Sequence, residues 1–223
     1  MTIPSLITSY NEKVTVNKLW KVYTTLSQAL KMAETEHGPI SSWGLVRTNT
    51  GKLNEDGTEI YNYSGQNLVA KRIKPYLKLS KVCEAGEICI NERMCYLNGN
   101  CSEPEPFAEG TDGIGFFLMD GTYVGIGWTN QHGDFDISVR FPTGKDVYLG
   151  KSMFYFRYVS GRLMPEGYAG TTASASFENR CNVGTNQNGR GCTAWVIYNK
   201  NMDYLHCREK LSWDGPHSCK EAE

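Results

Sequence analysis

The apolar residues near the start of the chain recur with the spacing of an α-helix. Between residues 15 and 36 they form a stripe along one side, and polar or charged residues fill the other side. A period of about 3.6 residues is typical of an amphipathic helix. The stripe consists of Val16, Leu19, Trp20, Val22, Tyr23, Leu26, Ala29, Leu30 and Ala33, and the polar side of Lys18, Lys21, Thr25, Gln28 and Lys31.

Both ends of this helix are marked in the sequence. Pro4 suits the first turn of a helix, because the N–H that proline lacks would have no partner there. Gly38 and Pro39 end the pattern, as is common just after a helix. We therefore predict one helix over residues 4–36, about 50 Å long at a rise of about 1.5 Å per residue.

In the second half of the chain the pattern changes to the short runs of β-strands. Residues 115–128 (GFFLMDGTYVGIGW) place Asp120 and Gly121 between two apolar runs, which predicts a hairpin. Residues 134–141 (DFDISVRF) alternate between polar and apolar, as a half-buried strand does. Residues 153–159 (MFYFRYV) predict a further strand that ends in a Ser-Gly turn.

The remaining segments give weaker signals. Residues 193–198 (TAWVIY) predict a last strand, and residues 201–206 a short helix. Residues 45–65 suggest loops and short strands, whereas residues 66–81 carry a weak helical stripe that Pro75 interrupts.

Together the elements predict an α+β fold in which a long N-terminal amphipathic helix packs on an antiparallel β-sheet. The helix needs an apolar sheet surface to cover its stripe. We divide the chain into the helix, residues 1–36, and a globular head, residues 37–223, with a cysteine-rich loop over residues 83–101.

Composition excludes several partner classes. Charged residues make up 21% of the chain and the net charge is -1, so no electrostatic attraction toward nucleic acid or an anionic membrane is expected. No segment of the sequence has the length and apolarity of a membrane span or of a signal peptide.

The cysteines point to an oxidising compartment. There are eight, an even number that suits four disulfides in an exported protein, although their pairing cannot be read from sequence. Zinc is the alternative, with His206 and His217 beside the last two cysteines, but no CxxC pair supports it. The cysteines are Cys83, Cys89, Cys95, Cys101, Cys181, Cys192, Cys207 and Cys219.

Candidate chemistry is sparse, and we expect no enzyme and no cofactor. The sequence contains no GxSxG, HExxH, P-loop or GxGxxG before a helix. His132 and Asp134 would suit a hydrolytic triad, but they lie in a segment (TNQHGDFD) that is typical of a turn. Four carboxylates are weak candidates for a calcium site, although their spacing does not match an EF-hand loop. These carboxylates are Asp112, Asp120, Asp134 and Asp136.

Four stretches spread over the chain carry a family resemblance. They are MTIPSLI running into YNEKVTVNKLWKVYTTLSQALKMAE, the SSW after that helix, LGKSMFYFRYVSGRLMPEG, and GCTAWVIYNKNMDYL near the C-terminus. The chain resembles the type IV pilins and type II secretion pseudopilins, which carry a prepilin-type cleavage and methylation signal.

This resemblance implies that a membrane half-helix precedes Met1, with Pro4 at its junction to the amphipathic half. Two departures weaken the transfer of a pseudopilin calcium site. Ser152 stands where many relatives have an acidic residue, and residues 138–141 (SVRF) replace an Asp-x-Asn-Gly turn.

The resemblance implies a structural or accessory subunit of a type IV pilus or secretion pseudopilus. Its partners would be other pilin or pseudopilin subunits and the inner-membrane assembly machinery, and its head would be displayed at the cell surface or in the periplasm. A membrane would be contacted only through the segment before Met1. The assembly helix would include Pro4, Val16, Leu19, Trp20, Tyr23, Leu26 and Leu30.

A second hypothesis is a secreted adhesin or lectin-like binding module. Its ligand would lie on an exposed aromatic and Asn-rich surface over residues 177–191 (FENRCNVGTNQNGRG). The aromatic strand over residues 153–159 would also supply rings to both faces of a sheet, although core packing explains at least one of those faces.

Overall fold

A computed structural model of the chain shows a long helix against an antiparallel sheet. The structure describes residues 3–46, 48–53, 57, 59–62, 64–83, 88–90, 92–101, 107–108, 114–142, 146–169, 176–183 and 189–223.

The helices include the predicted long one. The helix predicted over residues 4–36 is confirmed, with one further residue at each end. The weak stripe over residues 66–81 forms a helix that ends before Pro75, followed by a single turn and a strand. The α-helices are α1 (Ile3–His37), α2 (Ser64–Ile73), α3 (Phe177–Arg180), α4 (Thr193–Asn199) and α5 (Tyr204–Cys207), and the 3-10 turns are Ile40–Ser42, Lys74–Tyr76, Arg190–Cys192 and Arg208–Lys210.

Among the described residues, six strands form one antiparallel sheet in the order β12-β11-β9-β8-β7-β3, and six further strands form three two-stranded pairs. The pairs β1-β2 and β4-β6 are antiparallel, whereas β10-β5 is parallel. The strands are β1 (Thr48–Leu53), β2 (Glu59–Asn62), β3 (Leu79–Cys83), β4 (Ile88–Ile90), β5 (Arg93–Cys95), β6 (Phe107–Ala108), β7 (Ile114–Leu118), β8 (Tyr123–Thr129), β9 (Phe135–Arg140), β10 (Asp146–Tyr148), β11 (Met153–Val159) and β12 (Arg162–Pro165).

The two hairpin turns follow from local chemistry. Between β7 and β8, Gly121 has φ 81° and Asp120 Oδ1 accepts a hydrogen bond from the Thr122 N–H at 3.1 Å. Between β11 and β12, Ser160 (φ 50°) and Gly161 (φ 76°) both have positive φ, as the twist of a tight hairpin requires. The predicted hairpin over residues 115–128 and the predicted Ser-Gly turn after residue 159 are both confirmed.

The strand predicted over residues 193–198 was wrong, because this segment is α4. Its side chains from Thr193 to Ile197 are all buried. A helix that is apolar on every side shows no 3.6-residue period, so a short apolar run of this kind cannot be told from a buried strand. The short helix predicted over residues 201–206 is present as α5.

The two faces of the six-stranded sheet are covered differently. Phe116, Val124, Val139 and Phe154 lie side by side across four strands and belong to the main apolar core with the buried stripe of α1. We call this the helix face. On α1, Tyr23 stacks on Phe156 of this face, with ring centroids 5.6 Å apart.

The other side of the sheet, here called the opposite face, carries Phe117, Tyr123, Arg140 and Met153 in register. Small apolar clusters cover it. One contains Tyr123 with Cys83 and Ile90, and another contains Met153 with residues of β10 and its surroundings. The segments around the first four cysteines therefore cover this side.

Candidate functional site

Helix α1 has two parts with different surroundings. The side chains of Leu6, Ile7 and Tyr10 are 53%, 55% and 67% exposed, and every residue from 6 to 11 is exposed. From residue 6 onward, Val16 is the first residue of α1 that is buried. We call residues 6–11 the projecting turns, because this part of α1 lies outside the apolar core.

The rest of α1 is attached to the head along its apolar stripe. Leu19 and Leu26 are fully buried, and Val16 and Leu30 are nearly so. Of the residues predicted for an assembly helix, these four therefore hold α1 to the head. Pro4 lies in the first turn of α1, where a missing N–H costs no helical hydrogen bond.

Trp20 departs from the apolar stripe to which its spacing assigns it. Its side chain is 40% exposed, and its indole Nε1 donates a hydrogen bond to the Ile197 carbonyl at 3.1 Å. Tyr23 is partly buried, and its hydroxyl donates to the Leu163 carbonyl at 3.3 Å. Both rings therefore lie at the border between α1 and the head.

Polar contacts hold the attached part of α1 against the head on both sides of its buried stripe. His206 Nε2 lies 2.9 Å from Glu12 Oε1. Near the other end, the Tyr158 hydroxyl donates to Glu34 Oε1 at 2.7 Å, and the Ile40 N–H donates to the same oxygen at 3.3 Å. Burial, with the bond to Glu34, raises the pKa of Tyr158, so the phenol remains a donor.

An ion-pair network lies on the opposite face. Arg157 Nε donates to Asp136 Oδ1 at 2.9 Å, and Arg190 Nη2 donates to Asp136 Oδ2 at 3.1 Å. Glu166, whose side chain is 6% exposed, lies 3.7 Å from Arg157 and 3.6 Å from Arg190. Burial raises the pKa of Glu166, and the two guanidinium groups only partly offset this. Because arginines pair with the carboxylates of both Asp136 and Glu166, we interpret this network as structural.

The calcium candidates are not brought together among the residues that the structure describes. Asp112 lies outside those residues. Asp120 is in the β7–β8 turn; burial acts to raise its pKa, but bonds from Thr122 and the nearby Lys21 hold it below its ordinary value. Asp134 accepts from Asn130 Nδ2 at 3.0 Å. Within the described ranges no group of three or more His, Cys, Asp or Glu side chains is placed to hold a metal ion.

All eight cysteines form disulfides, which confirms the predicted framework. The pairs are Cys83–Cys89, Cys95–Cys101, Cys181–Cys192 and Cys207–Cys219. Four disulfides are typical of an oxidising compartment, extracellular or periplasmic. The zinc alternative was wrong, because its two sulfur ligands, Cys207 and Cys219, are bonded to each other and carry no free thiolate.

The histidines have other contacts. His217 Nε2 lies 3.1 Å from the Trp213 carbonyl, and His206 contacts Glu12. His132 is exposed in the β8–β9 turn, where its N–H donates to Asn130 Oδ1 at 2.9 Å. The interpretation of TNQHGDFD as a turn is confirmed.

The surface proposed for an adhesin over residues 177–191 differs from expectation at its aromatic residue. Phe177 is fully buried and stacks on Trp195, with ring centroids 4.2 Å apart; it was wrongly counted as exposed. Residues 184–188 lie outside the described ranges. In β11, Phe154 and Phe156 are buried in the core, and Tyr155 lies beneath the Arg190 guanidinium at 4.3 Å.

Two clefts lie along α1 that the sequence did not predict. The first, of 610 Å³, is lined by Lys13, Val16, Asn17, Trp20, Lys21 and Lys200. The second, of 510 Å³, is lined by Tyr23, Ser27, Leu30, Lys31, Glu34, Tyr158, Gly161, Arg162, Leu163, Met164 and Tyr198. Lys13, Asn17 and Lys21 show the one sequence signal, a four-residue spacing on a helix; Tyr198 and Lys200 become neighbours only through folding.

The fold and surfaces define an α+β protein with four disulfides, in which the first turns of α1 expose Leu6, Ile7 and Tyr10. In the part of the chain that the structure describes, no helix combines the length and apolar composition that crossing a membrane requires. The chain belongs to a family of unknown function (DUF6613), whose family model matches residues 5–201. No curated protein and no solved structure matches it.

The family match covers both the projecting turns and the two clefts. It includes almost all of α1 and the whole six-stranded sheet, and it stops before α5 and the disulfide Cys207–Cys219. The projecting turns and the two clefts therefore lie within the matched residues.

Proposed function

We propose that the chain is an exported structural or accessory subunit of a filament of the type IV pilus or type II secretion pseudopilus kind. In this proposal α1 attaches the subunit to its neighbours through the projecting turns, and the head is displayed outside the cell. The observation that carries the proposal is the division of α1 into a part buried in the head and an apolar part outside the core.

The physical reason is that exposed apolar side chains need a partner surface. Leu6, Ile7 and Tyr10 lie within two turns of one helix and are more than half exposed. Contiguous apolar residues of this kind mark contact sites in proteins. A continuous helix also transmits the position of its first turns to the head, because its remaining turns are fixed in the core.

The four disulfides support display outside the cell. Each closes a short loop, with sequence separations of 6, 6, 11 and 12 residues. Such crosslinks restrict the unfolded chain and protect a domain under oxidising conditions.

The test is assembly of a Leu6→Asp, Ile7→Asp double variant in the native cell. Two carboxylates on the projecting turns oppose burial against a neighbouring helix, because each would lose its hydration there. We expect the variant to accumulate in the cell envelope at the wild-type level and to be absent from the filament fraction sheared from the surface, as measured by immunoblot.

Met32→Asp is the matched control. Met32 lies on the same helix and is 52% exposed, but it is outside the projecting turns, so assembly should continue. Mass spectrometry of the mature wild-type protein should show a methylated N-terminal residue followed by an apolar segment. Normal assembly of the double variant, or a mature protein processed by an ordinary signal peptidase, would contradict the proposal.

A further inference from the structure

The two clefts beside α1 are neighbours, because Trp20 of the first and Tyr23 of the second are in edge-on ring contact at 6.4 Å. Lys13, Asn17, Trp20, Ser27 and Lys31 follow each other along α1 at helical spacings of three, four or seven residues, so their side chains lie on one side of the helix. From Lys13 to Lys31 this side is about 27 Å long at about 1.5 Å per residue. We call the two clefts together the α1 groove.

Its other wall comes from α4 and β12. Tyr198, at the end of α4, is 49% exposed. Lys200 follows it in the left-handed conformation, with φ 56°, and its ammonium lies 5.6 Å from the Trp20 ring centroid. On the sheet side, Arg162 begins β12.

The charges of the groove are predominantly positive. Five of its lining side chains are cationic: Lys13, Lys21, Lys31, Arg162 and Lys200. The lining includes one carboxylate, Glu34. Its Oε1 already accepts hydrogen bonds from the Tyr158 hydroxyl and the Ile40 N–H, and its Oε2 lies 3.8 Å from Lys31 Nζ. Asp120, at the outer edge, lies 4.0 Å from Lys21. The groove therefore attracts anions.

Hydrogen bonds and ring contacts orient the aromatic rings of the groove. The bond from Trp20 Nε1 to the Ile197 carbonyl sets the plane of the indole, and Tyr23 stands edge-on to it at 6.4 Å. Tyr198 is edge-on to Trp213 at 6.1 Å. Exposed rings in set orientations offer flat apolar surfaces at little cost in conformational entropy.

The same wall disfavours an extended peptide. A peptide that adds to a sheet edge needs free backbone groups on the edge strand. On β12, the Leu163 carbonyl already accepts from Tyr23, and Pro165 has no N–H to donate. Flat rings combined with separate cations instead suit sugar rings that carry acidic groups.

We propose that the α1 groove binds an acidic polysaccharide. Its carboxylate or sulfate groups contact Lys13, Lys31 and Lys200, and the apolar faces of its sugar rings lie on Trp20 and Tyr198. This site is separate from the projecting turns, so it does not depend on the assembly proposal.

The experiment is calorimetric titration of the 223-residue chain with two probes, oligogalacturonate for carboxylates and a heparin-derived oligosaccharide for sulfates. We expect at least one to bind, and binding to weaken as salt screens the lysines. Neutral dextran oligomers of equal length should not bind.

Two variants locate the site. Trp20→Ala removes the stacking surface and should weaken binding about tenfold. Lys200→Gly removes the ammonium while glycine adopts the left-handed conformation freely, and should weaken binding about threefold to tenfold.

Two matched controls separate the site from general effects. Trp128→Ala removes an indole that is also 40% exposed but lies on β8. Lys18→Gln removes a lysine of α1 that faces Phe141, 6.0 Å from its ring centroid, outside the groove. Both should bind the probe as the wild type does.

Three results would overturn the proposal. The first is that neither acidic probe binds. The second is that the control variants weaken binding as much as the groove variants. The third is that poly-L-glutamate of matched charge binds through Trp20 and Lys200 as tightly as the oligosaccharides, which would assign the groove to an acidic peptide.

Discussion

The two faces of the six-stranded sheet are stabilised in different ways. The helix face is covered by α1, and its large side chains, such as Phe116, Phe154 and Phe156, are fully buried in one continuous core. The opposite face has two small apolar clusters, two nearby disulfides and the ion-pair network around Asp136.

This difference shows where the chain depends on oxidation. Burial of apolar area stabilises the helix face, because its large side chains are removed from water in one continuous core. Short segments that bury little apolar surface do not offset their own conformational entropy, so crosslinks must restrict them. We therefore expect the segments that cover the opposite face to depend on the disulfides Cys83–Cys89 and Cys95–Cys101.

The largest expected effect comes from breaking the helix face at Phe156. Phe156→Ala removes a fully buried ring that stacks on Tyr23 of α1, and should lower the free energy of unfolding by about 3–5 kcal/mol. Chemical denaturation monitored by circular dichroism measures this.

Tyr155→Ala is the matching variant on the opposite face, and its loss of stability is compared with that of Phe156→Ala. Tyr155 is partly buried beneath Arg190, so its loss should cost roughly half as much. Equal losses at the two positions would contradict the view that the helix face contributes most of the apolar stabilisation.

A smaller effect is expected from opening the opposite face at its first disulfide. A Cys83→Ser, Cys89→Ser variant frees a loop with a sequence separation of 6 residues and should lose about 2–3 kcal/mol of stability. Because β3 is the edge strand next to β7, its amides should exchange with solvent faster than those of the central strand β9.

Hydrogen exchange followed by mass spectrometry measures this difference. The matched variant Cys207→Ser, Cys219→Ser removes the disulfide that joins the end of α5 to Cys219 and should leave β3 unchanged. If exchange rises equally in β3 and β9 when Cys83 and Cys89 are replaced, the two faces unfold as one unit and the comparison fails.

Much of the helix face could be predicted from the sequence because its signals are local. The 3.6-residue stripe gave α1, and Asp120-Gly121 gave the β7–β8 hairpin. Alternation over residues 134–141 also identified β9 and its buried side chains. In each case the residues that define the element are neighbours in the chain.

What failed depended on contacts between distant residues. Trp20 shares the apolar spacing of α1, but it lies at the border of the core because its partner is the carbonyl of Ile197. The α1 groove joins Lys13 to Lys200, and no pattern along the chain indicates that proximity. The disulfide pairing was open for a different reason, since eight cysteines allow 105 connectivities.

The smallest expected effect concerns the ion-pair network of the opposite face and its response to pH. Burial raises the pKa of Glu166 above the ordinary value of 4.5, so the folded protein binds this proton more tightly than the unfolded chain. The stability that this group contributes is therefore present below pH 4.5 and is lost as the pH rises through the raised pKa.

Glu166→Gln removes this titration, because the amide cannot ionise. We expect the unfolding free energy of the wild type, minus that of the variant, to be largest below pH 4.5 and to decrease as the pH rises; urea denaturation at a series of pH values measures it. Glu178→Gln removes the same charge from an exposed site of α3 and reports the background. If the difference instead grows with pH, Arg157 and Arg190 outweigh burial, and the opposite face is stabilised by its ion pairs more than by the exclusion of water.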